Sequence, residues 1–501
     1  MLDYVVVGAG SAGCVLAARL SEDPGVDVLL LEAGSKDTKR EIAVPAAFSK
    51  LFRSDVDWNY DTEPQPELAG RSIYWPRGRV LGGSSSLNAM MAIPGHSADY
   101  EAWGDGWSWN DVAPYYAQVG DTLAVEELRD PNPLTLSFLD AAREAGLAPS
   151  QLSPTDLEGV RLTPVTQRRG RRRSAADAYL RSALARPNLE LRTDAQVTRI
   201  AFDGTRAVGV EVEGEVVRAR EIVLCGGTVN SPQLLLLSGI GPRAELERHG
   251  IRVVHDAPGV GANLQDHLAG GILVESLRPT SLYAAEKPLQ LVRWLVLRKG
   301  MLTSNVAEAA AFVRSRPELR APDLELLFAP VLFEDAGLTP PRGHGFTVGV
   351  VALQPLSTGV IRLRSSDPFE PPAIDPRYLS HPADLEVLVH GIELARRIVS
   401  MPAFTGIAGD ELEPGDTPVH ASIRERAHTL YHPVGTCRIG DVVDAELRVR
   451  GVDGLRVVDA SVLPRVPRGH THLPTLMVAE RAAAFLRGDA RRQSELVDAA
   501  V

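Results

Sequence analysis

The sequence predicts an α/β protein with two domains: a discontinuous dinucleotide-binding domain, Rossmann-like, and a second domain whose antiparallel sheet packs on helices. Three observations carry this prediction. Residues 3–31 read as strand, glycine turn, helix and strand. Residues 305–365 alternate in polarity in short strand-length runs. Glycine-rich signals stand near both ends of the chain, so one domain is built from separated segments. The division expected is 1–130, 190–270 and 430–501 for the first domain, with 131–189 and 271–429 for the second.

DYVVVGAGSAG opens the chain. Residues 3–7 are an apolar run of the kind buried on both faces of a parallel sheet. Residues 14–20 have helical character and end before Pro24 and Gly25, and 28–31 form a second strand, completing a βαβ unit. Residues 100–190 are mixed and helix-leaning, with Trp103, Trp107 and Trp109 close together. Short strands are expected over 190–225, in LELRTDAQVTRIAFDG, AVGVEVEG and REIVLCGG. DLELLFAP, FTVGVVAL and GVIRLRS supply the antiparallel sheet. A helix is expected over 383–400 and a strand-like run over 455–464. No internal repeat or low-complexity segment interrupts this order.

Bulk properties exclude several classes. The chain has 501 residues, 44% hydrophobic, 23% charged and 5% aromatic, which suits an ordinary globular protein with a sizeable core. Its formal charge of −11 argues against nucleic acid or an anionic membrane as a main partner. RRGRRR at 168–173 carries five arginines in six positions and reads as a solvated loop, since no stacking aromatics flank it. Three widely spaced cysteines, Cys14, Cys225 and Cys437, offer neither a disulfide framework nor a CxxC site and suit a reducing compartment. No apolar run reaches the roughly 18–20 residues of a membrane span, and a first strand expected from residue 3 leaves no room for a signal peptide. The cytoplasm is the expected address.

Gly8-Ala9-Gly10-Ser11-Ala12-Gly13 is a GxGxxG motif between a strand and a helix, and Glu32 closes the next strand 19 residues beyond Gly13. Gly8 allows the tight turn, Gly10 admits pyrophosphate against backbone, and Gly13 allows helix–strand packing. The helix N-terminus offers amides and positive dipole to phosphate. Glu32 would accept from ribose hydroxyls and disfavour a 2′-phosphate. This fingerprint alone does not separate NAD from FAD.

GRVLGGSSSLNAMMAIPG at 78–95 is a second glycine cluster. A buried flavin ring needs close backbone approach at a second place, which Gly82 and Gly83 permit, and Asn88 can hydrogen-bond the ring or the diphosphate. A small-residue helix start, capped by residues 84–86, is an additional reading of the same stretch.

With these two stretches, GTVNSPQLLLLSGIG at 227–241, LYHPVGTCRIG at 430–440 and GLRVVDASVLPRVPRGHTHLPTLMVAE at 454–480, the sequence resembles the glucose–methanol–choline (GMC) oxidoreductases, which are FAD enzymes. The resemblance spans nearly the whole chain and implies a discontinuous FAD domain beside a substrate domain with an antiparallel sheet. It places Glu32 on the adenosine ribose, Trp58 near the adenine, and the Val197 backbone in hydrogen bonds to it. It further assigns cofactor contacts to Gly8, Gly10, Ser11, Ala12, Gly13, Ala33, Val80, Gly83, Asn88, Ala89, Met90 and Met91. Asp459, Ala460 and the stretch holding His472, Pro474 and Thr475 would close over pyrophosphate and ring. Some members attach FAD through a histidine just before the asparagine; Leu87 stands there, so non-covalent FAD is expected.

The resemblance also implies an active site of His432 paired with His470, eleven residues after Asp459, facing the flavin. His472 falls where many relatives have an asparagine that contacts the cofactor. Alcohol oxidation removes a hydride and a proton. The first goes to flavin N5, and the second needs a base such as imidazole, while a second imidazole can hold the substrate oxygen. The reaction expected is oxidation of a primary alcohol with an aryl, furanic or aliphatic body to the aldehyde, with oxygen or another acceptor taking the electrons. Alternatives are a hydroxynitrile-lyase-type reaction with structural FAD, a choline or polyol dehydrogenase, and an inactive flavoprotein serving as an interaction partner. AMMAIPG lacks the aromatics of a quaternary-ammonium cage, which demotes choline. Phe328 and Phe333 are candidates for an apolar pocket, with core packing the more natural role. His432, His470 and His472 lack a fourth-ligand cluster, so no metal is expected. Cys437 has no activating partner and reads as a small buried apolar residue. Oligomeric state is not legible.

Overall fold

Five parallel strands form the floor on which the site is built. The computed structural model describes residues 1–488, and within them Leu2–Val7 pairs in parallel with Val28–Leu31 on one side and with Glu215–Leu224 on the other. Leu189–Arg192 extends the sheet beyond Val28–Leu31, and Leu455–Val457 adds to Glu215–Leu224. The first half of Glu215–Leu224 belongs to an antiparallel meander with Arg206–Val212 and Val197–Asp203. The helix Ser11–Leu20 packs on this sheet beside the helix His472–Arg487, tied to it by an ion pair of Arg19 with buried Glu480 at 2.8 Å. The sequence thus brings its two ends together, as the separated glycine signals imply. The run 455–464 is strand only over Leu455–Val457; Asp459 then caps a 3-10 turn, Ala460–Val462, by accepting from the Ser461 amide.

The second sheet is antiparallel, in the order Ala408–Glu413, Leu268–Ser276, Gly345–Ala352, Leu324–Ala329, Ala309–Val313 and Gly159–Leu162. Strand alternation divides its faces. Ile272, Val274, Leu326, Phe328, Phe346 and Val348 turn toward the helices Pro133–Glu144 and Pro382–Val399 and are fully or almost fully buried there. Ala269, Gly271, Leu273, Leu327, Thr347 and Gly349 turn the other way, into a cavity. Phe328 stacks on Phe138 at 4.7 Å, so it belongs to the core, whereas Phe333 reaches the cavity.

Two local expectations are corrected. Residues 84–86 do not start a helix: Gly82 and Gly83 have φ of +89° and +54°, Gly83–Ser86 make one 3-10 turn, and Met90 has φ of +55°, so the chain continues irregularly to 95. RRGRRR is not wholly solvated. Gln167–Arg168 pairs with Arg171–Arg172 as a hairpin, which leaves Arg168, Arg169 and Arg171 exposed and turns Arg172 inward. All three cysteines are free and buried. No helix among the described residues is long and apolar enough to cross a membrane.

Candidate active site

A cavity of about 590 Å³ lies between the two sheets, within the ~300–1,000 Å³ typical of cofactor and ligand sites. Of the residues singled out by sequence, Gly8, Gly10, Ser11, Ala12, Glu32, Ala33, Trp58, Gly83, Asn88, Ala89, Met90, Met91, Val197, Asp459, Ala460, Thr475 and all three histidines line it. Gly13, Val80 and Pro474 stand behind the wall. A Cβ on Gly13 would meet Gly8 O at 1.9 Å, so its role is to let the helix touch the turn. Val80 is fully buried among Ile42, Leu51, Val56 and Leu87, and Pro474 is buried in the first turn of the last helix.

At the first-sheet end, the two glycine turns meet backbone to backbone: a Cβ on Gly83 would lie 2.7 Å from Gly10 Cα. Ser11 and His472 are the first residues of two helices and face each other, Ser11 Oγ to His472 Nδ1 at 3.1 Å. Two helix N-termini therefore aim their free amides at one place, an anion-binding arrangement. His472 Nε2 is buried without a hydrogen-bond partner, and burial holds this ring neutral, its pKa down to about 4. Glu32 accepts from the amides of Ala9 and Gly34 at 2.8 and 2.9 Å, and burial pushes its carboxyl up to about 7. Trp58 stacks on Tyr60 at 5.8 Å. These features fit a dinucleotide whose diphosphate lies over the helix ends and whose ribose reaches Glu32.

Asn88 Oδ1 accepts from the Met90 amide at 3.0 Å and from Arg172 Nη1 at 2.7 Å. Arg172 also donates to the carbonyls of Ile42 and Ser85, at 2.8 and 3.2 Å, and its Nη2 is buried without a partner. Burial pulls its pKa down to about 9. Asp459 spends its oxygens on the Gly227 and Ser461 amides and the Ser231 hydroxyl, at 2.6–2.8 Å, clamping the C-terminal segment to the helix Gly227–Leu237.

His432 and His470 meet at the middle of the cavity, ring centroids 4.6 Å apart and planes at 74°. Each is held from behind by a residue that the sequence reading passed over. His470 Nε2 lies 3.0 Å from Glu325 Oε1, on the strand Leu324–Ala329. His432 Nδ1 lies 3.0 Å from His267 Nδ1, whose Nε2 is 3.1 Å from the carbonyl of Leu353. A carbonyl only accepts, so His267 carries its proton on Nε2; burial lowers its pKa to about 3, so it is neutral and its Nδ1 accepts. His432 therefore donates from Nδ1, and its Nε2 keeps a lone pair. Burial, followed by His470, His267 and Arg77, holds the His432 pKa well below its ordinary value. Next to His267, Asp266 accepts from the His432 amide at 2.8 Å and from the hydroxyls of Thr429 and Tyr378. The signal for these residues is the acid–histidine pair in NLQDHL, 263–268.

Beyond the histidines, Phe48, Phe52, Phe333 and Tyr431 line the cavity as linked rings, with centroids 5.6–6.2 Å apart. The aromatics absent from AMMAIPG come instead from elsewhere in the chain. Cys437 is fully buried off the cavity, and burial raises its thiol pKa. Among the described residues no group of three or more His, Cys, Asp or Glu is arranged to hold a metal ion.

The fold agrees with the comparisons. The GMC oxidoreductase family model for the N-terminal part matches residues 2–269, and that for the C-terminal part matches 355–479. The chain belongs to the GMC oxidoreductases. It is 50% identical over 523 residues to an uncharacterised GMC-type oxidoreductase of Mycobacterium bovis, covering 97% of this chain and 99% of that one. It is 43% identical to an alcohol dehydrogenase [acceptor] of Pseudomonas putida, over 97% and 96% of the two chains. The crystal structure of pyridoxine 4-oxidase from Mesorbium loti superposes with a TM-score of 0.87 at 33% identity, over 96% and 98%. This chain is therefore an oxidoreductase of the GMC family, which implies FAD.

Proposed function

We propose that this GMC oxidoreductase oxidises a primary alcohol, on an aryl, furanic or aliphatic body, to its aldehyde with FAD held non-covalently. FAD, when bound, supplies the acceptor for the hydride of the carbinol carbon. His432 takes the hydroxyl proton at Nε2, and His470, braced by Glu325, holds the substrate oxygen and stabilises its developing charge. The single observation that carries this reading is the relay Leu353 O, His267, His432, which leaves the lone pair of His432 on the nitrogen without a protein partner. Gly10, Ser11, Ala12, Gly83, Asn88 and His472 hold the cofactor, with Glu32 on its ribose. Leu87, at the cavity edge, offers no nucleophile for covalent attachment.

The apolar outer wall, Leu273, Leu327, Ile392 and the four linked rings, supports an apolar alcohol body. The rings also support a quaternary ammonium alcohol as second reading, since cations bind ring faces. Electrons leave to oxygen or another acceptor. A visible spectrum under anaerobic conditions, before and after a panel of alcohols, tests the reaction: bleaching of the flavin band by an aryl or aliphatic alcohol is expected. Bleaching by choline alone moves the substrate to the second reading. A band that no alcohol bleaches, with cyanide released from a hydroxynitrile, replaces oxidation by a lyase. Acid precipitation should release the flavin into the supernatant; flavin that stays with the pellet overturns non-covalent binding.

A further inference from the structure

The helix Pro288–Leu297, sequence PLQLVRWLVL, buries one side chain, Trp294. Its indole N–H donates to the Gly170 carbonyl at 2.9 Å, and Arg298 covers its ring at 4.2 Å, which pins the inward face. Leu289, Leu291, Val292, Leu295, Val296 and Leu297 are 48–74% exposed. These are six of the sixteen large apolar side chains that stand exposed among the described residues, gathered on ten consecutive positions. Spacings of three and four residues put Leu289, Val292 and Val296 on the side turned from Trp294, while Leu291 and Leu295 stand on the flank between the two sides. Water-facing leucine and valine at this density leave apolar area uncovered.

The rim of this patch is basic. Lys287 and Lys299 flank it, with Arg293 paired to Asp130 and Arg298 folded over Trp294, and residues 287–299 contain no acid. The hairpin that receives Trp294 adds exposed Arg168, Arg169 and Arg171. The acids nearby are already engaged: Glu286 with Lys50 at 2.6 Å, Asp130 with Arg293 at 3.3 Å and with the Gly300 amide at 2.7 Å, and Glu126 with the Arg169 amide at 3.0 Å. Averaged over the chain, the charge of −11 hides this positive region.

We propose that this helix lies in the surface of an anionic phospholipid bilayer, its apolar side in the acyl boundary and its basic rim on the headgroups. A short amphipathic helix with leucine on one side and lysine and arginine around it has this disposition, and each basic residue near an anionic surface adds attraction. A second copy of the chain fits less well. Two-fold pairing of the same face would set Lys287 and Lys299 against an identical basic set, the neighbouring acids Glu286 and Asp130 being already paired. This proposal departs, for this face alone, from the expectation of no membrane partner drawn from net charge. The chain that follows returns to the cavity at Val306 and Ala307, so face and site share one stretch.

The test is flotation of the FAD-loaded protein with vesicles of equal parts phosphatidylglycerol and phosphatidylcholine, and with pure phosphatidylcholine. Binding to the anionic vesicles at low salt, weakened at high salt, is expected, with Leu289→Glu/Val296→Glu lowering it about tenfold or more. Lys287→Glu/Lys299→Glu should remove the preference for phosphatidylglycerol while leaving flavin content unchanged. Protein that stays unbound with anionic vesicles, or both variants floating like wild type, overturns the proposal. A dimer in sedimentation that Leu289→Glu/Val296→Glu makes monomeric, without vesicle binding, assigns the face to a second copy instead.

Discussion

His267 Nδ1 stands 3.0 Å from His432 Nδ1, and the direction of that hydrogen bond decides which ring nitrogen of His432 keeps its lone pair. Because Leu353 O can only accept, the proton positions follow in sequence from the backbone to the cavity. In the proposed mechanism His267 is a positioning residue, acting through His432.

His267→Leu leaves the His432 Nδ1–H buried without an acceptor. We expect a loss of ~1–3 kcal/mol in transition-state stabilisation, about five- to 150-fold in the rate of flavin bleaching. His267→Gln, whose amide oxygen can accept, should recover part of it, and the apparent pKa of the bleaching rate should move in the leucine variant. Equal pH profiles in all three proteins would remove His267 from the account.

If Glu32 holds the ribose as proposed, cofactor binding is expected to depend on pH. Its folded pKa of about 7 lies above the ordinary 4.5, so the folded protein binds more protons in that window. Stability of the cofactor-free protein therefore falls as pH rises from about 4.5 to about 7, by up to ~3 kcal/mol, and levels off above. Glu32→Gln cannot titrate and should flatten this slope in denaturant titrations, while weakening FAD binding. A wild-type slope unchanged in the variant contradicts the assignment.

Gly83→Ala places a methyl 2.7 Å from Gly10 Cα at a φ of +54°. Both turns are backbone, so neither can yield cheaply. The variant should purify with little flavin, read from the ratio of flavin to protein absorbance. A fully loaded variant would show that the two turns do not need their contact.

Arg172→Met removes three donated hydrogen bonds from a buried site and leaves Ile42 O, Ser85 O and Asn88 Oδ1 short of partners. Each buried acceptor left unpaired costs ~1–3 kcal/mol. Lower thermal stability and weaker FAD retention are expected together, whereas Arg169→Met, at an exposed position of the same hairpin, should change neither. Indistinguishable melting curves for the two variants would return Arg172 to the solvated group.

The fold was legible where its signals are local. Strand, glycine turn and helix over residues 2–31 follow from consecutive residue types, and alternation in DLELLFAP and FTVGVVAL marks the antiparallel sheet. What brings Glu325 behind His470 and His267 behind His432 is the register of strands far apart in sequence, which one chain does not display. Arg172 was lost for another reason: a run of like charges hides the one residue that the hairpin turns inward. The small residues of 84–91 suggested helix because positive φ at Gly82, Gly83 and Met90 has no composition signal at methionine. Net charge, a sum over 501 residues, concealed the basic apolar helix for the same reason that any average conceals a patch.

The most direct measurement is anaerobic stopped-flow of flavin bleaching by the best alcohol of the panel, for wild type and His432→Ala, both confirmed to hold FAD. With His432 as the base, the variant bleaches ~10²–10⁴-fold more slowly at saturating alcohol. Equal rates in the two proteins would contradict the account at its centre.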